Sequence, residues 1–138
     1  MERSIERGGG AMTPADFGLF NLPGPAPRPV SRPLRGGRTA LLAPPGPFDG
    51  AAVEVLTRDA RALILTGCRA FILDLRCSEY VDSQGARGLL SLREEVANHG
   101  GRVRLVVGEG SRVERTLRLL DFGALFSIFR AAEEAWRA

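Results

Sequence analysis

Few side chains in this sequence are placed to do chemistry, and the most suggestive of them is a hydroxyl. Ser83 stands in Asp82-Ser83-Gln84-Gly85, behind an apolar run and ahead of a stretch with helical spacing. Aspartate and serine at such a boundary accept hydrogen bonds from the free amides of a helix's first turn, and ordinary capping is one sufficient reading of both. The same geometry supports a second. A hydroxyl at a helix N-terminus is exposed, and a phosphate on it would be stabilised by the positive end of the helix while adding about two negative charges beside Asp82. On that reading the position is a switch.

Other signals fall away on inspection. Asp121-Phe122-Gly123 spells a kinase magnesium motif, but neither a glycine-rich loop nor a catalytic loop accompanies it, so it reads as a helix stop. Gly108-Glu109-Gly110-Ser111 lacks both the lysine of a P-loop and the third glycine of a dinucleotide fingerprint. The one histidine, His99, sits near a helix end, where a cation suits the negative dipole. Cys68 and Cys77 are too few and too far apart for a zinc site, and both are expected to be reduced and buried. No cofactor and no metal is expected. Convergent acid, base and nucleophile cannot be assembled, so an enzyme is not expected either.

Composition narrows the partners. The chain has 138 residues, 44% hydrophobic and 25% charged, which argues for one globular domain rather than a fibre or a wholly disordered chain. All 19 basic residues are arginine, yet they interleave with acids, as in Arg93/Glu94/Glu95, and the net charge is only +3. Without a one-signed patch, and with few aromatic residues to stack bases, nucleic acid is not an expected partner. No apolar stretch approaches the roughly 20 residues of a membrane helix, and the N-terminus lacks the apolar core of a signal peptide, so no membrane insertion and a cytoplasmic location are expected.

The elements that would hold Ser83 follow from proline placement and periodicity. All nine prolines fall between Pro14 and Pro47. Residues 1–37, rich in Pro, Gly and Arg, read as a flexible tail, with Phe17 to Leu22 as an apolar island that could dock or pair. Residues 38–138 read as the folded unit. Thr39 to Ala43 is strand-like and stopped by Pro44-Pro45-Gly46-Pro47, which reads as a tight connection. Asp49 caps a helix running from Gly50 to about Thr66, ended by Gly67. Ala70 to Leu75 is a continuous apolar run, as a strand covered on both faces requires. Ser78 to Gly85 reads as a polar loop and the leucines behind it as a helix up to Gly100-Gly101. Val103 to Val107 is the next strand, and Ser111 with Glu114 makes a capping box for the next helix. Leu125 to Phe129 suits a last strand and Ala131 to Ala138 a last helix. Strands alternating with helices predict a mixed or parallel α/β sheet with right-handed crossovers.

Phe71-Ile72-Leu73-Asp74-Leu75 followed by Tyr80-Val81-Asp82-Ser83-Gln84-Gly85-Ala86-Arg87-Gly88-Leu89-Leu90 resembles the central signature of the STAS domain family, the anti-sigma factor antagonists. Gly46-Pro47-Phe48-Asp49 is similar to that family's turn before its first helix. Arg102 to Val107, Leu119 to Phe126 and Glu133-Glu134-Ala135 are similar to its C-terminal half, so that the likeness runs from about Arg38 to Ala138. The resemblance implies a single domain with a mixed four- to five-stranded sheet, flanked on one side by helices, and a non-catalytic regulatory function. In the family, the serine directly after the aspartate is phosphorylated by a partner kinase that is itself an anti-sigma factor. By position that is Ser83. Unphosphorylated antagonist sequesters the kinase and releases the sigma factor, phosphorylation breaks the complex, and a serine phosphatase resets it. The implied contact residues are Asp49, Tyr80, Asp82, Ser83, Gln84, Gly85, Arg87 and Gly88. The sequence departs from the family in having Gln84 where a small residue is commoner, in the charge of Arg87, and in showing no leading strand before Arg38. The rival expectation is a scaffold subunit, in a stress-signalling assembly or as the STAS component of a lipid-transport complex. Homo-oligomerisation is compatible with either.

Overall fold

A computed structural model describes residues 30–138. Strands β1 (Val30–Pro33) and β2 (Thr39–Ala43) form a hairpin, followed by β3 (Gly46–Phe48) and helix α1 (Gly50–Leu65). Then come β4 (Ala70–Asp74), β5 (Ser78–Val81), α2 (Ser83–Asn98), β6 (Arg102–Val106), α3 (Arg112–Leu119), a 3-10 turn at Phe122–Ala124, β7 (Ser127–Phe129) and α4 (Ala132–Arg137). The main sheet has five strands in the order β1-β2-β4-β6-β7. All its pairings are parallel except that of β1 with β2. Strands β3 and β5 form a separate parallel pair at the carboxyl end of the sheet.

The apolar run of β4 is explained by what lies on each side of it. Successive residues of a strand point to opposite faces. Phe71 and Leu73 join Leu42, Leu105 and the buried faces of α1, α2 and α3 in the larger core, while Ile72 joins Leu41, Val106 and the alanines of α4 in a smaller one. Helices therefore cover both faces. The one-sided cover implied by the family resemblance is corrected by α4, which shields the apolar alternates of β2, β4 and β6 that would otherwise meet water.

The folded unit also starts earlier than Arg38. Val30-Ser31-Arg32-Pro33 pairs antiparallel with β2, Val30 opposite Ala43, and Leu34 behind it is buried. Gly36 and Gly37 close the hairpin with φ of 94° and 75°, a conformation that only glycine adopts without strain. An edge strand needs few apolar residues and tolerates Pro33, which is why the segment reads as tail in the sequence. Residues 1–29, including the Phe17 to Leu22 island, lie outside the described residues.

Two further segments differ from expectation. Gly46-Pro47-Phe48 is a strand rather than a tight connection, and Ser78 to Val81, expected as loop, is its partner. The last strand shrinks to Ser127–Phe129, because Asp121 turns left-handed at φ 59° and leads into the 3-10 turn. At α3, Ser111 Oγ accepts the Glu114 amide at 3.1 Å as expected. The Glu114 carboxylate reaches past the cap to the Gly110 amide at 2.7 Å and also holds Arg130 at 2.7 Å.

Candidate functional site

The short β3–β5 pair is what builds the site. Its register sets Phe48 beside Val81, and the next residue on each strand is an aspartate that opens a helix. Asp49 Oδ1 accepts the Ala52 amide at 3.0 Å, and Asp82 Oδ1 accepts the Gly85 amide at 2.8 Å. Two helix N-termini thus start next to one another at the carboxyl end of the sheet. The Asp82 amide donates to the Phe48 carbonyl at 3.3 Å, tying the two starts together.

This geometry separates the two readings of Asp82-Ser83. Capping is done by the aspartate, so it accounts for Asp82 and not for Ser83. The serine is the first residue of α2, exposed, and its hydroxyl has no hydrogen-bond partner among the described residues. Gln84 and Arg87 line the same rim, Gln84 exposed and Arg87 with it, Asp49 and Tyr80 are half-buried, and the Arg112 guanidinium lies over the Tyr80 ring at 5.3 Å from its centroid.

Gly85 and Gly88 belong elsewhere. Both are buried, and a Cβ on Gly85 would overlap the Phe48 carbonyl, while one on Gly88 would run into the Val53 side chain of α1. They are the flat contacts through which α2 presses against β3 and α1, so they shape the surface from beneath and do not present atoms to a partner. Gln84 folds over the opposite helix start: its side chain occupies the space that a Cβ on Gly50 would need.

A feature absent from the sequence reading lies beside Ser83. An apolar groove of about 470 Å³ runs between α2 and α3, lined by Val81, Asp82, Ser83, Ala86, Arg87, Leu90, Thr116, Leu120 and Phe122. Leu90 is 40% exposed and Leu120 48%. The available signal was the doubled leucines Leu89-Leu90 and Leu119-Leu120: on a helix, neighbours point about 100° apart, so one of each pair is hard to bury. Leu89 is in the core, whereas Leu119 and Leu120 both face outward.

The remaining polar groups are structural. Asp74, buried at the end of β4, takes Arg76 in a two-pronged pair with its shortest contact at 2.7 Å, which raises the Arg76 guanidinium pKa and fixes the turn into β5. Burial, with the charge of Asp74, pushes the Cys77 thiol above its ordinary value. Both cysteines are free; Cys68 is buried, but Cys77, expected to be, is only half-buried. His99 caps the end of α2, its Nδ1 3.0 Å from the Glu95 carbonyl oxygen. Among the described residues no group of His, Cys, Asp and Glu is arranged to hold a metal ion, and no helix is long and apolar enough to cross a membrane.

A family model described as the STAS domain matches residues 35–135. Solved structures share the fold. An anti-sigma factor antagonist from Mycobacterium paratuberculosis has a TM-score of 0.68 at 18% identity, covering 84% of this chain and 97% of its own. The anti-sigma factor antagonist SpoIIAA in its unphosphorylated form has a TM-score of 0.64 at 19% identity, covering 80% of this chain and 95% of its own. A Thermotoga maritima protein described as an anti-sigma factor antagonist has a TM-score of 0.68 at 18% identity, covering 78% and 91%. No curated protein matches by sequence.

Proposed function

The chain belongs to the STAS domain family, and from that premise we propose that it is an anti-sigma factor antagonist: a binding module that sequesters an anti-sigma serine kinase and is switched off by phosphorylation of Ser83. One observation carries the reading. Ser83 presents an unengaged hydroxyl at the rim of an apolar groove, at the start of a helix that another residue already caps.

In the unphosphorylated state that surface is a neutral hydroxyl beside half-exposed leucines, which suits burial under a partner. A kinase transferring a phosphoryl group from ATP to Ser83 Oγ adds a charge of about −2 at neutral pH. Within the protein the charge is tolerated, because the α2 N-terminus carries positive partial charge. The cost falls on the interface, where a dianion beside Asp82 and near Asp49 must be desolvated against the partner. A coupling of about 1–3 kcal/mol weakens the complex roughly five- to 150-fold. A serine phosphatase restores the docking form, and the cytoplasm is where kinase, phosphatase and sigma factor meet. Gln84, Arg87, Leu90 and Leu120 surround the serine and would contact the kinase.

The test is to incubate the chain with anti-sigma serine kinases of its own organism and ATP and to map phosphate by mass spectrometry. Phosphate on Ser83, absent in Ser83→Ala, supports the reading. Phosphate only elsewhere, or none with any kinase that binds the chain, overturns it.

A further inference from the structure

We propose that Arg87 is the intramolecular counter-ion for a phosphate on Ser83, so that one modification both adds a dianion to the docking face and withdraws a cation from it. The inference rests on Ser83 being the phosphorylated residue and adds what the phosphate does once there.

Ser83 and Arg87 are four residues apart on α2, hence neighbours on its surface, with side-chain roots about 5–6 Å apart. Both are exposed and both line the same groove. The order is the favourable one, with the anion toward the N-terminus and the cation one turn later. What singles out Arg87 is that it is unengaged: it makes no ion pair or hydrogen bond among the described residues. Nearby arginines are occupied, Arg93 by the Leu125 carbonyl, Arg115 by the Gly110 carbonyl and Arg112 by the Tyr80 ring. Asp82 and Asp49 are each bound to a backbone amide. Arg61 pairs with Glu95, Arg58 with Asp59 and Arg118 with Glu114. The charged groups left on these elements, Glu79 on β5, Glu54 on α1 and Glu94 on α2, are acids, which repel a phosphate. A guanidinium offers a phosphate two parallel donors, which an aspartate carboxylate already turned to its cap does not compete for.

Before modification, Arg87 is free to meet an acidic group on a partner. After it, the same guanidinium is drawn to the phosphate across the N-terminal end of the groove, and the partner loses that contact. The dianion is held more firmly than the monoanion, so the second phosphate ionisation, ordinarily near pH 6, moves to lower pH.

The experiment uses the full chain with phosphoserine encoded at position 83 during translation, so that no kinase is needed, and follows the phosphorus-31 shift against pH. Relative to the phosphoprotein that keeps Arg87, Arg87→Gln should raise that ionisation by about 0.2–0.4 of a pH unit at low salt. Arg87→Lys should recover part of the difference, and molar salt should shrink it. Arg137→Gln, on the helix across the sheet, should leave the curve unchanged. Coincident curves at low salt for the phosphoproteins with and without the Arg87→Gln substitution, or an equal shift from Arg137→Gln, would overturn the assignment. Such a failure would leave Ser83 standing as the kinase target, whereas a kinase that never modifies Ser83 would remove the target without touching this ion pair.

Discussion

Helices α1 and α2 begin side by side and are built by the same recipe. Each follows a short strand of the β3–β5 pair, each runs for 16 residues, and each is capped by an aspartate that accepts the amide three residues on. Each start also borders an apolar hollow, of about 270 Å³ for α1 and about 470 Å³ for α2. They differ in the first helical residue. In α1 it is Gly50, covered by the side chain of Gln84; in α2 it is Ser83, uncovered. A free hydroxyl stands on one of two matched supports and takes no part in the cap. Under the proposed function, that separation of duties would let a charged group be added and removed at Ser83 while the helix start persists.

One of the two largest effects should come from the glycines, and it should be lopsided. Gly85→Ala drives a methyl into the Phe48 backbone, which cannot yield as a side chain can, and should lower stability by about 2–3 kcal/mol in urea unfolding. Gly50→Ala meets only the flexible end of Gln84 and should change stability by less than about 0.5 kcal/mol. Equal losses would mean that the two starts are not packed as described.

The other is a contrast between the paired leucines. Leu89, fully buried, should lose about 2–5 kcal/mol on substitution by alanine if its site cannot collapse, whereas Leu90→Ala should stay within about 1 kcal/mol while weakening capture of the kinase. Thermal unfolding together with a binding titration separates the two.

Next in size are the caps. Asp49→Ala and Asp82→Ala should each cost about 1 kcal/mol, measured by urea unfolding. Ser83→Ala should cost far less than Asp82→Ala, because the serine takes no part in the cap. A Ser83→Ala loss as large as that of Asp82→Ala would break the division of labour between them.

The smallest effect concerns Cys77, in the turn that leads into β5. Its thiol pKa is raised in the folded state, chiefly by burial, so the folded protein holds the proton more tightly than the unfolded chain does. Its contribution is present below the unfolded thiol value, about pH 8.5, and is lost as pH climbs through the folded one. Cys77→Ser should flatten the alkaline fall in stability slightly, and an unchanged profile would show that the thiol is not a contributor.

Much of this arrangement could be read from the residues, for identifiable reasons. The β4 run and the periodicity of α1 and α2 are strong because burial on a continuous face repeats a signal over many positions. Asp82 and Ser83 stand out because caps have a narrow choice of residue types. Strands β3 and β5 could not be read, since three or four residues with Gly46 and Pro47 among them carry no alternation; they pair two helix starts, which is a relation between segments well separated in sequence. The edge strand β1 was hidden by Pro33 and Arg32 for the same lack of a buried face. The burial of Gly85 and Gly88 depends on what α2 packs against, which no local pattern states, and the groove is a gap between helices that are separate in sequence.

The most direct test of the central claim is a binding titration of the anti-sigma serine kinase against the chain with serine, alanine or phosphoserine at position 83. The account predicts that Ser83 and Ser83→Ala proteins bind alike, and that the phosphoserine form binds at least about fivefold more weakly. Equal affinity of the phosphorylated and unphosphorylated chains would contradict it.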